Sequence, residues 1–125
     1  MSLIPRLENE IDELRKRFVV EVQPDSAFVN LVIKDFPLGG GFNLPAADLL
    51  IRVPLSYPDT GPDMFWTDPR VLLSSGQEPQ AANVRERYLD REWRRFSWHR
   101  NRWDSIRDNL SSYIEFVHHR IAQKQ

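Results

Sequence analysis

The chain has 125 residues, of which 41% are hydrophobic, and a formal net charge of −1 at pH 7. This length favours one domain, spanning residues 1–125, and the near-zero charge argues against a uniformly basic nucleic-acid-binding protein. The absence of cysteine excludes disulfides, thiolate metal sites and a thiol nucleophile. No apolar run approaches the roughly 20 residues that a membrane span requires, and no signal-peptide pattern is evident. We therefore expect a cytoplasmic domain.

The charges are unevenly distributed. Residues 85–102 contain seven arginines against three acidic residues, whereas the rest of the chain is net acidic. Such a basic segment fits a surface that docks an acidic partner, and it fits equally well a solvated helix with one basic face.

Residues 3–17 predict an amphipathic helix, because their apolar residues recur at spacings of three and four. Those residues, with the one that follows the helix, are Ile4, Leu7, Ile11, Leu14 and Phe18. Ser2 is a candidate cap, and Pro5 falls in the first turn, where its missing N–H matters little.

Apolar runs then predict four strands with short connections. The first two, residues 19–22 and 28–33, are rich in β-branched residues and are separated by a turn, which indicates a hairpin. Residues 48–54 are apolar enough to lie centrally in a sheet, and residues 64–66 form a short strand. Adjacent strands with short connections favour an antiparallel sheet whose helices lie on one face.

The second half of the chain predicts irregular structure followed by a helix. Residues 72–84 predict a loop, and residues 84–93 predict a loop or one short helix. The segment from Ser105 to Asp108 has the form of a capping box and predicts the start of the last helix. An apolar stripe at helical spacing continues to the C-terminus. Its members are Ile106, Leu110, Ile114, Val117 and Ile121.

The stretch from Arg94 to Trp103 concentrates unusual chemistry. It contains four arginines, two of the four tryptophans, one histidine and one serine in ten residues. We expect the functional site here, with Ser97 at its centre. His118 and His119 lie on the predicted helix, where neighbouring side chains diverge, so we predict no metal site and no cofactor.

Several of these segments resemble the ubiquitin-conjugating-enzyme (UBC) fold family. Residues 53–58 (Val-Pro-Leu-Ser-Tyr-Pro), followed by Gly61-Pro62, are similar to its strand-to-loop element. Trp103 resembles the tryptophan that follows its catalytic cysteine. Residues 64–69 and 96–99 look like the divergent prokaryotic branch. The resemblance covers residues 1–121, but this chain lacks the family's cysteine and its His-Pro-Asn motif.

The resemblance implies a UBC-like α+β fold. Its parts are an N-terminal helix, an antiparallel four-stranded meander, a long active-site loop segment and a C-terminal helix. It also implies a transferase role in a bacterial ubiquitin-like pathway, with a ubiquitin-like protein and an activating-enzyme-like protein as partners. Because no thiol is present, the chemistry would need another nucleophile.

Ser97 lies six residues before Trp103, about where the resemblance places the missing cysteine. A serine hydroxyl needs a base, and the imidazole of His99 is suited to accept a proton near neutral pH. Residues i and i+2 of an extended segment point the same way, so the two side chains can meet. The hypothesis is that Ser97 carries a ubiquitin-like C-terminus as an oxyester, with His99 assisting. Asn101 or backbone N–H groups would stabilise the oxyanion.

Six residues are predicted to contact partner proteins, three through charge and three in the proline-containing loop. They are Arg95, Arg100, Arg102, Tyr57, Pro58 and Pro62.

Two alternatives to catalysis stay open. A Ser-x-His pair often occurs by chance, and residues 96–99 alternate like a half-buried strand. The chain would then be a non-catalytic variant that only binds a ubiquitin-like protein or an activating enzyme. Arginines interleaved with aromatic residues also resemble the surfaces of single-stranded nucleic-acid binders, although the charge of −1 argues against this function.

Overall fold

The computed structural model describes residues 3–100 and 102–123. Within these ranges the chain forms two helices and six strands. In chain order they are α1 (Pro5–Arg15), β1 (Val20–Pro24), β2 (Phe28–Pro37), β3 (Ala46–Pro54), β4 (Phe65–Thr67), β5 (Val84–Tyr88), β6 (Arg91–Phe96) and α2 (Leu110–Gln123). The strands form one antiparallel sheet in the order β1-β2-β3-β4-β6-β5. The α+β prediction is confirmed, but the predicted four-stranded meander lacks two strands.

The two additional strands, β5 and β6, correct the prediction of a loop or short helix over residues 84–93. They form a hairpin whose two-residue turn, Leu89 and Asp90, has positive φ angles of 57° and 60°. This is the left-handed geometry that tight hairpin turns require. Charged side chains occupy most positions of both strands, so the alternation of apolar residues that marks a strand is weak. Ser97 therefore directly follows a strand instead of lying within a long loop.

Both helices pack on one face of the sheet, which we call the covered face. Alternate residues of the strands point to this face and join α1 and α2 in one buried core. Its largest members from the sheet include Leu31, Leu49, Ile51, Phe65 and Phe96, and from the helices Leu7, Ile11, Leu14, Tyr113, Ile114 and Val117. The predicted apolar stripes of both helices supply these contacts.

The opposite face, which we call the open face, has a smaller buried cluster to which neither helix contributes. The cluster consists of Val32, Leu50, Trp66 and Trp93, with Met64, Tyr88 and Leu89 packed against it. Guanidinium groups lie over its aromatic rings: that of Arg52 is 4.1 Å from the centre of the Phe28 ring and 3.9 Å from that of Tyr88. Such stacking buries apolar surface while the charge stays near water.

α2 begins at Leu110, which corrects the predicted start at Ser105. Asn109 and Ser112 form a reciprocal cap: the Ser112 N–H donates to Asn109 Oδ1 at 2.8 Å, and the Asn109 N–H donates to Ser112 Oγ at 3.0 Å. Upstream, Asp104 Oδ1 accepts the N–H of Ile106 at 2.9 Å. That local bond favours a turn. Ile106, predicted to face the core, is consequently 90% exposed.

α1 lies within the predicted range and buries three of the predicted residues. The predicted cap, Ser2, lies outside the described residues. Ile4 precedes the helix, and Pro5 occupies its first turn as expected. In the described part of the chain, no helix is long and apolar enough to cross a membrane.

Candidate functional site

Trp103 packs against the proline-containing loop that includes Pro58 and Gly61. A Cβ atom at Gly61 would come within 2.3 Å of the Trp103 ring, so only glycine allows this close approach. The indole Nε1–H donates to the Pro58 carbonyl oxygen at 2.7 Å, and the ring lies 5.6 Å from that of Tyr57. These contacts hold the segment after the candidate serine against the loop.

Tyr57 connects the same loop to both helices. Its hydroxyl donates to Glu10 of α1, and the same carboxylate oxygen accepts the N–H of Leu110 at 2.8 Å. Burial, reinforced by the contact with Glu10, raises the pKa of Tyr57 above its usual value. Tyr57 is only 4% exposed and Pro62 is buried. Their placement indicates a structural role, and Pro58, which is half-buried, is better placed for the predicted partner contact.

Ser97 lies at the end of a polar chain that crosses the open face. Its N–H donates to the Ala81 carbonyl oxygen at 2.8 Å, and its Oγ accepts the Nε–H of Arg95 at 2.9 Å. Arg95 also pairs with Glu86 at 3.2 Å, and Glu86 accepts the indole N–H of Trp66 at 2.9 Å. The Ser97 oxygen thus has a cation beside it, while its proton is not used in that contact.

His99 forms a pair with Asp63, a residue that the sequence did not identify. Its Nδ1 lies 2.6 Å from Asp63 Oδ1, and the two side chains are 63% and 61% exposed. The residues are 36 positions apart in the chain. The antiparallel pairing of β4 with β6, in which Phe65 faces Phe96, brings them together. Spacing alone contains no sign of this pairing.

The structure places Ser97 and His99 in one site, although no hydrogen bond within the described residues joins their side chains. The hydroxyl contacts Arg95, and the imidazole contacts Asp63. Two residues of chain span at most about 7 Å between Cα atoms, so both side chains belong to the same short segment. Direct proton transfer between them stays a prediction. Asn101, the predicted oxyanion donor, lies outside the described residues.

The predicted partner-contacting arginines have different environments. Arg100 donates to Asp108 at 2.6 Å and to Ser112 at 3.2 Å, which ties the segment to the start of α2. Burial disfavours the Asp108 carboxylate, but hydrogen bonds from the Asp104 N–H, Ser112 and Arg100 outweigh that effect and lower its pKa. Arg102, by contrast, is exposed.

Arg94 and the neighbouring Trp93 are buried and make their contacts within the protein. Arg94 is fully buried, where it donates to Glu78 and to the Ala82 carbonyl oxygen, each at 2.6 Å. This holds the loop between β4 and β5, and the contact with Arg94 lowers the pKa of Glu78. Trp93 is also fully buried. These placements weaken the nucleic-acid hypothesis, because stacked bases need exposed aromatic faces.

A cleft of about 330 Å³ opens on the open face of the sheet. Its walls are mainly apolar, and include Phe28, Pro54 and Trp66. Asp63 and Glu86 also line it, and these carboxylates contact His99 and Arg95. The cleft is therefore lined by the contact partners of His99 and Arg95, whereas Ser97, His99 and Arg95 are not among its lining residues. In the part of the chain that the structure describes, no group of three or more potential ligands is placed to hold a metal ion.

The α+β fold, with two helices and a six-stranded antiparallel sheet, is consistent with a ubiquitin-conjugating-enzyme-like domain, and the chain contains no cysteine. The family model described as Prokaryotic E2 family E matches residues 7–124. The chain therefore belongs to this prokaryotic E2 family, which confirms the predicted resemblance and supports a role related to ubiquitin-like conjugation. Neither the curated proteins nor the solved structures gave a match.

Proposed function

We propose that this chain is a conjugation component of a bacterial ubiquitin-like pathway that carries the modifier's C-terminus as an oxyester on Ser97. The observation that supports this most is the environment of Ser97: its oxygen lies 2.9 Å from Arg95 Nε, with the Asp63–His99 pair in the same site. Family membership supports conjugation, and the absence of cysteine requires another nucleophile.

The proposed transfer begins from a modifier held as a thioester on its activating enzyme. Ser97 Oγ attacks the thioester carbonyl carbon, the new C–O bond replaces the C–S bond, and the thiol leaves with the proton. Arg95 would stabilise the negative charge that develops on the carbonyl oxygen, the role first predicted for Asn101. His99 would transfer the proton directly or through one water, since such contacts often tighten only in the reacting complex.

Asp63 would orient the imidazole. A carboxylate at Nδ1 selects the tautomer in which Nε2 can accept a proton, and it stabilises the imidazolium that forms. A partner surface is available nearby: Arg102 and Arg107 flank a polar recess of about 580 Å³. Asp104 and Asp108 line the same recess, so it would receive a polar surface of mixed charge on the modifier or on the activating enzyme.

The test is incubation with the cognate activating enzyme, ATP and the ubiquitin-like protein. We expect an adduct that survives thiol reductants and is released by hydroxylamine or alkali. Ser97→Ala should abolish it, whereas Ser75→Ala, at an exposed serine of the β4–β5 loop, should not. His99→Gln should slow its formation by about 100-fold, within the usual range for a general base. An adduct that persists in Ser97→Ala would contradict the assignment.

A non-catalytic binding role is the second candidate. The lack, within the described residues, of a hydrogen bond between the Ser97 and His99 side chains favours it. This alternative predicts a stable complex with the ubiquitin-like protein or the activating enzyme and no covalent adduct. Gel filtration under native conditions detects the complex, and electrophoresis under reducing and denaturing conditions detects a covalent adduct.

A further inference from the structure

We infer that this site also hydrolyses esters of short apolar carboxylic acids, with water completing a cycle through an acylated Ser97. The inference rests on the proposed acylation of Ser97, but it requires neither a modifier nor an activating enzyme. Four features occur together: a hydroxyl nucleophile, an oriented imidazole, a cation at the nucleophile and an apolar cleft.

The geometry of the Asp63–His99 pair favours water as the reactant of the second step. Its Nδ1–Oδ1 distance of 2.6 Å directs the ring so that Nε2 is the proton acceptor. Both side chains are more than 60% exposed, so water reaches the ring freely. Within the described residues, no hydrogen bond joins the ring to the Ser97 side chain. An imidazole in this position suits the attack of water on a group already attached to Ser97.

Arg95 is placed to stabilise both steps. Its Nε lies 2.9 Å from Ser97 Oγ, so the carbonyl oxygen of an acyl group on Oγ comes within reach of the guanidinium. Glu86 holds that guanidinium at 3.2 Å and is itself held by the indole of Trp66. A cation fixed before the reaction stabilises a developing oxyanion better than one that must reorient.

The cleft provides a place for the acyl chain. Its apolar walls, which include Phe28, Pro54 and Trp66, enclose about 330 Å³, enough for a short alkyl chain. Asp63 and Glu86 line the same space and contact His99 and Arg95, so an acyl chain bound there would lie beside the partners of the imidazole and the guanidinium. Short alkyl esters with a good leaving group are the expected substrates.

The two steps balance without any further reactant. Ser97 Oγ first bonds to the ester carbonyl carbon, and the alcohol leaves with the serine proton. Water then attacks the same carbon and gives one proton to His99 Nε2. The bond to Ser97 breaks, and the proton passes from the imidazole to Ser97 Oγ. The free carboxylic acid is released.

The experiment uses the full chain with p-nitrophenyl butyrate and p-nitrophenyl acetate as probes. We expect turnover, faster with butyrate because its chain fills more of the cleft. Ser97→Ala should reduce turnover to the rate of buffer alone. His99→Gln should lower turnover by about 100-fold and let acyl-Ser97 accumulate, which mass spectrometry detects. The matched controls Ser75→Ala and His119→Gln, at exposed residues outside the site, should change neither.

Asp63 acts here as a positioning residue, and its test separates this role from a structural one. Asp63→Asn should lower kcat by about 10-fold with KM unchanged, and Asp63→Glu should restore part of the rate. An equal loss in both variants, with KM raised, would overturn this role.

The outcomes for hydrolysis are distinguishable from those for modifier transfer. Acyl-Ser97 that forms without turnover overturns the hydrolysis while leaving Ser97 as an acceptor. Turnover that stays at the rate of the unsubstituted chain in Ser97→Ala or in His99→Gln also overturns it. Failure of the modifier to form an adduct, with ester turnover intact, instead removes the proposed function.

Discussion

The two faces of the sheet bury their side chains with different kinds of residue. On the covered face, aliphatic and aromatic side chains of the strands meet those of both helices in one core. On the open face, a cluster of four buried residues is bordered by arginines stacked on aromatic rings. The first arrangement supplies most of the buried apolar area. The second arrangement leaves charged groups and a cleft near the surface, and the candidate site lies at the edge of the open face.

The open face needs its charges to be paired. Arg52 donates to Asn30 at 2.9 Å and to Asp25 at 3.0 Å while it stacks between two rings. Burial disfavours the Asp25 carboxylate, but hydrogen bonds from Asn30, two backbone N–H groups and Arg52 outweigh it and lower its pKa. On the open face, directional hydrogen bonds and ion pairs hold Arg52 in position. On the covered face, close packing of apolar side chains is sufficient to hold them in position.

The largest expected difference between the faces comes from two adjacent leucines of β3. Leu49 and Leu50 are both fully buried, but Leu49 belongs to the covered core and Leu50 to the open-face cluster. We expect Leu49→Ala to lower the free energy of unfolding by about 4 kcal/mol and Leu50→Ala by about 2 kcal/mol. The smaller cluster lies nearer the surface and can relax around the loss. Urea titration of both variants measures this, and equal losses would contradict the distinction.

A smaller effect is expected where Trp103 packs against Gly61. Gly61→Ala places a methyl group within 2.3 Å of the indole, so the ring must move. We expect a loss of about 2 kcal/mol, typical of overpacking, together with a change in tryptophan fluorescence. Gly40→Ala is the matched control, because a Cβ there meets nothing within 4 Å. An unchanged fluorescence spectrum in Gly61→Ala would show that Trp103 does not hold this loop.

The stacking of Arg52 should contribute less. Arg52→Lys keeps the charge but removes the planar group between the two rings, and we expect a loss of about 1 kcal/mol. Arg85→Lys, at an exposed arginine with a loose 3.8 Å contact to Glu92, should change stability by only a few tenths of a kcal/mol. If the two substitutions have the same effect, stacking does not stabilise the open face.

The smallest effect concerns acid. The folded-state pKa of Asp108 is lowered, so its contribution to stability is present above the unfolded value of 3.8 and is lost as pH falls through the folded value. We expect Asp108→Asn to reduce the slope of the unfolding free energy against pH below about pH 4. Near pH 7 the substitution should change this slope less. Unfolding titrations at a series of pH values measure it. An unchanged slope in acid would contradict the role of this carboxylate.

Apolar periodicity was enough to predict the covered face. Most residues of the α1 and α2 stripes and of the β-branched runs in the first strands are buried at the period of their element, with Ile4, Val19 and Ile106 as exposed exceptions. Apolar periodicity did not predict the hairpin of β5 and β6, because arginines and glutamates alternate with the few apolar residues there. The start of α2 was placed too early, because Asp104 binds nearby backbone N–H groups and competes with the helix.

Prediction of the candidate site was partial for a similar reason. Ser97 and His99 stand out in the sequence through residue type and spacing. The contacts of Asp63 and Arg95 depend on strand pairing and on the direction of each side chain along β6. Neither property is encoded in local spacing. The predicted partner contacts of Tyr57 and Pro62 stay predictions, and both residues are buried.

The most direct test of Ser97 as the acyl acceptor uses Ser97→Cys. The chain contains no cysteine, so a thioester in this variant can form only at position 97. With the cognate activating enzyme, ATP and the ubiquitin-like protein, we predict an adduct that thiol reductants remove, in contrast to the reductant-resistant adduct of the natural chain. Ser75→Cys, exposed and outside the site, should give none. Absence of an adduct in Ser97→Cys, or equal adducts in both variants, would contradict the account.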